Sequence, residues 1–246
     1  MLSYYCMDYA IVFILGLIWG SFANVCIWRI PQGISIISPR SHCPKCKEPI
    51  PFYDNIPIIS FILLKGKCRK CGEKISIIYP LVEFLTGILA LLSYLKGGFS
   101  PLSIYYFLLS FLFLLLFFMD LKFRILPDSI TLGGAFFSFF YSLIFKISPP
   151  YLERLGAGAL GSFLFLFVLI FYFLIKGIYG IGYGDIKLVA FIGITFGIPD
   201  FLFVIIGGSI FALLFYIPFV LIKKKRWIIP FGTFLSLFST IYLFYK

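Results

Sequence analysis

Apolar runs close to twenty residues long, broken by short clusters of charge, glycine and proline, recur along the chain. Runs of that length predict membrane helices, here eight of them, at about 9–28, 80–95, 101–119, 129–145, 155–175, 186–198, 201–222 and 227–245. Two stretches depart from the pattern. The sixth segment opens at Asp185 and stops at Ile198, ahead of Pro199 and Asp200, short of the roughly 20 residues a straight span needs. A half-length helix beside irregular backbone is tolerated only where protein or a water-filled cavity surrounds it. Residues 29–79 form instead a polar loop long enough for a small module of its own. No internal repeat or low-complexity segment stands out.

Composition agrees with a polytopic membrane protein: 61% of the 246 residues are hydrophobic, 33 are Phe, and only 13% are charged. The first apolar stretch, Tyr9 to Trp28, lacks the short basic start and small-residue exit of a secretory leader, so it is expected to remain as a helix. The 21 Lys and Arg against 10 Asp and Glu set orientation rather than nucleic-acid binding, because no aromatic and basic residues interleave on a polar platform. With the N-terminus outside, every Lys and Arg falls on the cytoplasmic side except Lys96, Lys146, Arg154 and Lys246, as the positive-inside rule requires. Both termini then face out. The run KKKR at 223–226 reads as an orientation anchor that can also meet membrane lipid headgroups.

The 29–79 loop holds CPKC at 43–46 and CRKC at 68–71. Two such pairs match a site of four thiolates, Cys43, Cys46, Cys68 and Cys71, closing round one tetrahedral Zn2+. Disulfides are the alternative, disfavoured on the reducing cytoplasmic side. With all four positions filled by protein such a zinc is structural, and it supplies most of the folding free energy of so small a module. Cys6 and Cys26 read as inert apolar residues, and His42 as a solvated neighbour of Cys43. With a single histidine, a Ser or Cys nucleophile served by a His base has almost no candidate.

The acids carry the chemistry. An Asp at mid-bilayer costs about 2.5 to 3.5 kcal/mol on insertion scales, so such residues border cavities or do chemistry. Asp120 ends the run YYFLLSFLFLLLFFM, and Asp185 opens the short sixth segment within GYGDIK. Taken singly, Asp120 also reads as a solvated interfacial residue, and Asp185 as a helix N-cap or a partner of Lys187. Taken together, both fall at the cytoplasmic ends of their segments. Two carboxylates a few ångström apart share one proton, an acid and base ready for water-driven amide hydrolysis. Gly182 and Gly184 are read as permitting unusual dihedrals and close approach of an extended substrate, and Lys187 as biasing the acid or snorkelling to the interface. Asp128, after Pro127, is a rival acid whose expected structural use is a helix N-cap. Asn24 reads as an interhelical hydrogen-bonder or a substrate contact.

These residues together resemble the type IV prepilin peptidases. The resemblance is carried by GSFANVCIWRIP (20–31), PRSHCPKC (39–46), NIPIIS (55–60), GKCRKCGEKISIIYPLVE (66–83), MDLKFRILPD (119–128) and GYGDIKLVAFIG (182–193). It implies an aspartyl protease of the GxGD type with Asp120 and Asp185 as catalytic acids, acting on prepilins and pseudopilins in the bacterial inner membrane, at the cytoplasmic face. It further implies N-methylation of the new N-terminal residue, usually Phe, from S-adenosylmethionine, linked to the cysteine-containing region. No glycine-rich donor site is present to say which residues bind that donor. Glu83 matches a family position as a polar contact, or else is a helix-start acid favoured by the dipole.

The expectation is an all-α polytopic membrane protein of about eight transmembrane helices with a small zinc-ribbon-like cytoplasmic insertion. Its parts are a first helix (1–28), a tetra-Cys module (29–79) and a seven-helix membrane domain with the protease site (80–246). A GxGD intramembrane protease without methyltransferase activity and a proton-coupled transporter remain as alternatives, and oligomeric state is not encoded in any motif.

Overall fold

The computed structural model describes residues 2–178, 182–223 and 230–246, and their side chains apart from those at 2–6 and 219–223. Cys6 and the side chains of the 223–226 basic run therefore lie outside what is described. The elements are α1 (Leu2–Arg29), α2 (Ile59–Leu63), α3 (Ile78–Gly97), α4 (Pro101–Phe123), α5 (Asp128–Ile144), α6 (Tyr151–Lys176), α7 (Tyr183–Phe196), α8 (Asp200–Lys223) and α9 (Phe231–Tyr245). Among the described residues the only β pairing is two isolated bridges.

The eight predicted segments correspond in order to α1 and α3–α9. Five helices, α1, α3, α4, α6 and α8, are long and apolar enough to cross a membrane, which fits a multi-pass membrane protein. The expected count of eight spans is not reached on that criterion, since α5 has 17 residues, α9 has 15 and α7 has 14. At 1.5 Å per residue α7 is about 21 Å long, short of the roughly 30 Å hydrocarbon layer.

The chain packs as two compact units, Met1–Ser103 and Ile104–Lys246. In the first, α1 and α3 run antiparallel. Asn24 Nδ2 donates to the Tyr79 carbonyl (3.0 Å) near one end, and Tyr94 Oη donates to Asp8 (3.3 Å) near the other. Small residues bring the backbones together: a Cβ on Gly20 would lie 2.5 Å from Glu83 Cα, and one on Gly16 would lie 2.7 Å from Ala90 Cβ. Asn24 is thus the interhelical hydrogen-bonder. Glu83, expected at a helix start, lies beyond the first turn of α3, and its Oε2 accepts the Ile58 N–H at 2.8 Å, at the entrance to α2.

In the second unit α7 is the central helix: Leu188, Val189, Phe191 and Ile192 are fully buried. It crosses α6 through small residues, where a Cβ on Gly193 would lie 2.6 Å from the Ala157 backbone. The C-terminal end of α7 is held by Arg154. Counted from sequence as an outward-facing orientation charge, Arg154 is 1% exposed. Its guanidinium donates to the carbonyls of Ile194 and Thr195 (2.9 Å each), Pro149 (2.9 Å), Ser148 (2.9 Å) and Ile147 (3.2 Å), and to Tyr105 Oη (3.0 Å). A cation there satisfies carbonyls that a short helix leaves open, and it meets the negative end of the helix dipole.

Candidate active site

α4 is apolar until Asp120, one turn before its end, and closes through the Arg124 N–H on the Asp120 carbonyl (2.9 Å). The Asp120 side chain is 6% exposed and has a built environment. Its Oδ2 accepts two hydrogen bonds from Thr233, one from the backbone N–H (2.6 Å) and one from Oγ1 (2.9 Å). Thr233 lies in the first turn of α9, behind Pro230, so the positive end of that helix is aimed at the carboxylate. A Cβ on Gly232 would lie 3.2 Å from Asp120 Oδ2 and 2.8 Å from Leu126 Cδ1, which only glycine avoids.

Asp185 stands in the first turn of α7, capped by Gly182. The backbone of Gly182 lies against its carboxylate, and Asp120 is near enough for the two charges to be felt mutually. Leu126, buried in the turn after α4, fills the space between the elements: a Cβ on Gly184 would approach its Cβ to 3.0 Å. Gly184 thus serves close packing, whereas a Cβ on Gly182 would meet Asp185 Oδ2 at an ordinary 3.4 Å. Gly182 has φ −77° and ψ 143°, and Gly184 is helical, so neither adopts the unusual dihedrals expected of them.

Lys187 bonds the rival acid Asp128 rather than Asp120 or Asp185. Its Nζ lies 2.6 Å from Asp128 Oδ1 and ties the start of α7 to the start of α5. Asp128 is the first residue of α5 behind Pro127 at the cap, with no side-chain capping bond, so the N-cap expectation gives way to an interhelical ion pair. The N-termini of α5, α7 and α9 therefore gather at the C-terminal end of α4, which carries Asp120. Three positive helix ends offset the like charges there.

The second cluster belongs to the first unit. The Sγ atoms of Cys43, Cys46, Cys68 and Cys71 all lie within 4.8 Å of one another, and Cys43 and Cys71 are 3.8 Å apart. A tetrahedral ion with bonds of about 2.3 Å to sulfur separates its ligands by about 3.8 Å, so the residues fit a metal. Each pair folds alike. Lys47 N–H bonds the Cys43 carbonyl and Cys43 N–H the Glu48 carbonyl; Gly72 N–H bonds the Cys68 carbonyl and Cys68 N–H the Glu73 carbonyl. Lys47 (φ 60°) and Gly72 (φ 70°) make the same left-handed turn, a local repeat of C-x-x-C-x-E that the sequence reading passed over. Backbone N–H groups of Cys46 and Lys45 aimed at the Cys43 sulfur bring its pKa down to about 6, toward the thiolate a metal requires. The knuckles are joined by Lys45 to Glu73 (2.5 Å), and Arg69 pairs with Asp54 (2.6 Å).

Comparison with known proteins matches both units. Residues 14–97 fit the bacterial peptidase A24 N-terminal domain, and residues 106–217 fit the type IV leader peptidase family. A prepilin leader peptidase/N-methyltransferase of Klebsiella pneumoniae is 40% identical over 196 residues, 76% of this chain and 84% of that one. The chain belongs to the type IV leader peptidase family. Proteins of the same name from Neisseria gonorrhoeae (36% over 224 residues, 81% and 78% covered) and Bacillus subtilis strain 168 (36% over 212 residues, 82% and 81% covered) are further relatives. No solved structure matches the chain significantly. The leader peptidase match spans Asp120, Asp128 and Asp185, and the N-terminal match spans all four clustered cysteines. Thr233, Leu126 and Arg154 were missed from sequence. The one available signal was PFGT at 230–233, small and polar residues at the head of an apolar run.

Proposed function

We propose that this protein removes the basic leader of prepilins and pseudopilins at the cytoplasmic face of the bacterial inner membrane, with Asp120 and Asp185 as the catalytic pair. The observation that supports the reading is that these two acids, on separate helices, stand where the N-termini of α5, α7 and α9 gather at the end of α4. Asp120 Oδ2 accepts two donors from Thr233, which favours its charged form, so Asp120 serves as the base. Asp185 keeps the shared proton. Asp120 takes a proton from water as that water attacks the scissile carbonyl. Asp185 donates a hydrogen bond to the carbonyl oxygen, then helps protonate the leaving amine. No covalent intermediate forms. Gly182, where an added Cβ would meet Asp185 Oδ2 itself at 3.4 Å, leaves the approach to Asp185 open to an extended backbone.

The same reading includes N-methylation of the new N-terminus with S-adenosylmethionine as methyl donor, and a structural Zn2+ held by Cys43, Cys46, Cys68 and Cys71. Incubation of the purified protein with a prepilin, with and without the donor, followed by the mass of the product N-terminus, tests it. Leader loss plus one added methyl is expected, and Asp120→Asn or Asp185→Asn should each bring cleavage to background. A transporter would never cut the prepilin.

A further inference from the structure

The stretches at 20–31, 39–46 and 55–60, separated in sequence, converge on one cavity of about 250 Å³ in the first unit. Arg29 from the last turn of α1, Arg40 and Ser41 just ahead of the first knuckle, and Asn55 after it supply its polar wall, with Ile36 and Phe52 among its apolar lining. No acid lines it. Among the described residues neither guanidinium has a carboxylate partner: Arg29 gives an N–H to the Ser35 carbonyl (2.9 Å), and Arg40 makes no side-chain bond. The neighbouring cations Lys45 and Arg69 are, by contrast, ion-paired. Two arginines without a carboxylate partner in the lining of one cleft, beside Asn55 and Ser41, suit a carboxylate or phosphate.

We propose that this cavity binds the methyl donor by its α-carboxylate, on Arg29 and Arg40. The inference rests on the methyltransferase reading above. The relatives' double name assigns two activities, and the leader peptidase match begins only at residue 106, which leaves the second activity to the unit that holds the cavity. Its volume lies near the low end for small-ligand clefts, about 300 Å³, and suits the amino-acid end of S-adenosylmethionine. The nucleoside end lies over the rim, where the Phe52 ring is 80% exposed and offers a stacking face.

In the transfer, the lone pair of the uncharged N-terminal amine attacks the methyl carbon. The S–C bond pair returns to sulfur, and the amine releases a proton to solvent. The sulfonium charge is thereby lost from the donor. A site with two guanidinium groups and no acid repels that sulfonium, so it holds the neutral-sulfur product, S-adenosylhomocysteine, more tightly than the donor.

The test is calorimetric binding of S-adenosylhomocysteine to the full-length protein in detergent. Arg29→Gln and Arg40→Gln should each weaken it on the order of tenfold or more, the loss of a charge-assisted bond. Metal content and melting temperature confirm that each variant is folded, and Lys74→Gln, an exposed cation outside the cavity, should bind as wild type does. Methylthioadenosine, which lacks the carboxylate, should bind weakly and equally to wild type and both Arg variants. Unchanged product affinity in the two Arg variants overturns the assignment. So does loss of binding to a short-chain phosphatidylglycerol with product affinity intact, which would make the cavity a lipid headgroup site. A wild type that neither binds the product nor methylates a trimmed pilin overturns the methyltransferase reading itself, whereas one that methylates while the variants bind normally overturns only the site.

Discussion

At the scale of single residues, Asp120 depends on Thr233. The threonine contributes one backbone and one side-chain donor to the same carboxylate oxygen, and only the side chain can be removed by substitution. Thr233→Val keeps the volume and deletes the 2.9 Å bond from Oγ1. A hydrogen bond to a charged group contributes about 1.5–3 kcal/mol, so prepilin cleavage should slow about tenfold or more. Thr233→Ser, which keeps the hydroxyl, should stay within about twofold of wild type. Initial rates of leader release by mass spectrometry decide it; equal rates for Val and Ser would remove Thr233 from the site. Asp120 and Asp185 were legible in the sequence because an acid in so apolar a chain is costly and must be explained. Thr233 was not, because a hydroxyl is tolerated anywhere in a membrane helix by bonding its own backbone, as Thr86 does to Val82.

At the scale of elements, the shortness of α7 was legible from Asp185 and Pro199, but not what ends it. A basic residue near a chain break reads as a topological marker, and only the fold reveals that Arg154 turns inward onto carbonyls at 147–149 and 194–195. Removing its charge leaves those acceptors buried without donors. Arg154→Gln should therefore destabilise the second unit by about 3 kcal/mol or more, seen as a lowered melting temperature in detergent, with Arg154→Lys between the two. The cysteine knuckles were legible through spacing alone, since C-x-x-C pairs report metal geometry directly. The module around them was less so: Phe52, Ile62 and Leu63 are largely exposed in a loop that reads as polar. With so little apolar burial of its own, the module should depend on its metal. Chelation, or Cys43→Ser with Cys71→Ser, should open residues 41–75 to limited proteolysis while α4–α9 keep their hydrogen-exchange protection.

At the scale of the whole molecule, charge asymmetry predicts an orientation, but the chain divides at a point no composition shift marks. The two acids find their neighbours, Thr233, Leu126, Gly182 and Gly232, within residues 104–246. The four cysteines and the Arg29–Arg40 cavity lie within residues 1–103. Sites that share no partner behave additively, so the two proposed activities should come apart by substitution. Because methylation needs the amine that cleavage exposes, the methyl step must be tested on a pilin peptide already trimmed to its N-terminal Phe. On that peptide Asp185→Asn should methylate at the wild-type rate while leaving an intact prepilin uncut. Cys43→Ser with Cys46→Ser should do the reverse, trimming prepilin to an unmethylated product, and the combined variant should do neither. Mass measurement of each product resolves all four cases. If Asp185→Asn also stopped methylation of the trimmed peptide, the acids would have to act on both reactions, and the assignment of one activity to each unit would fail.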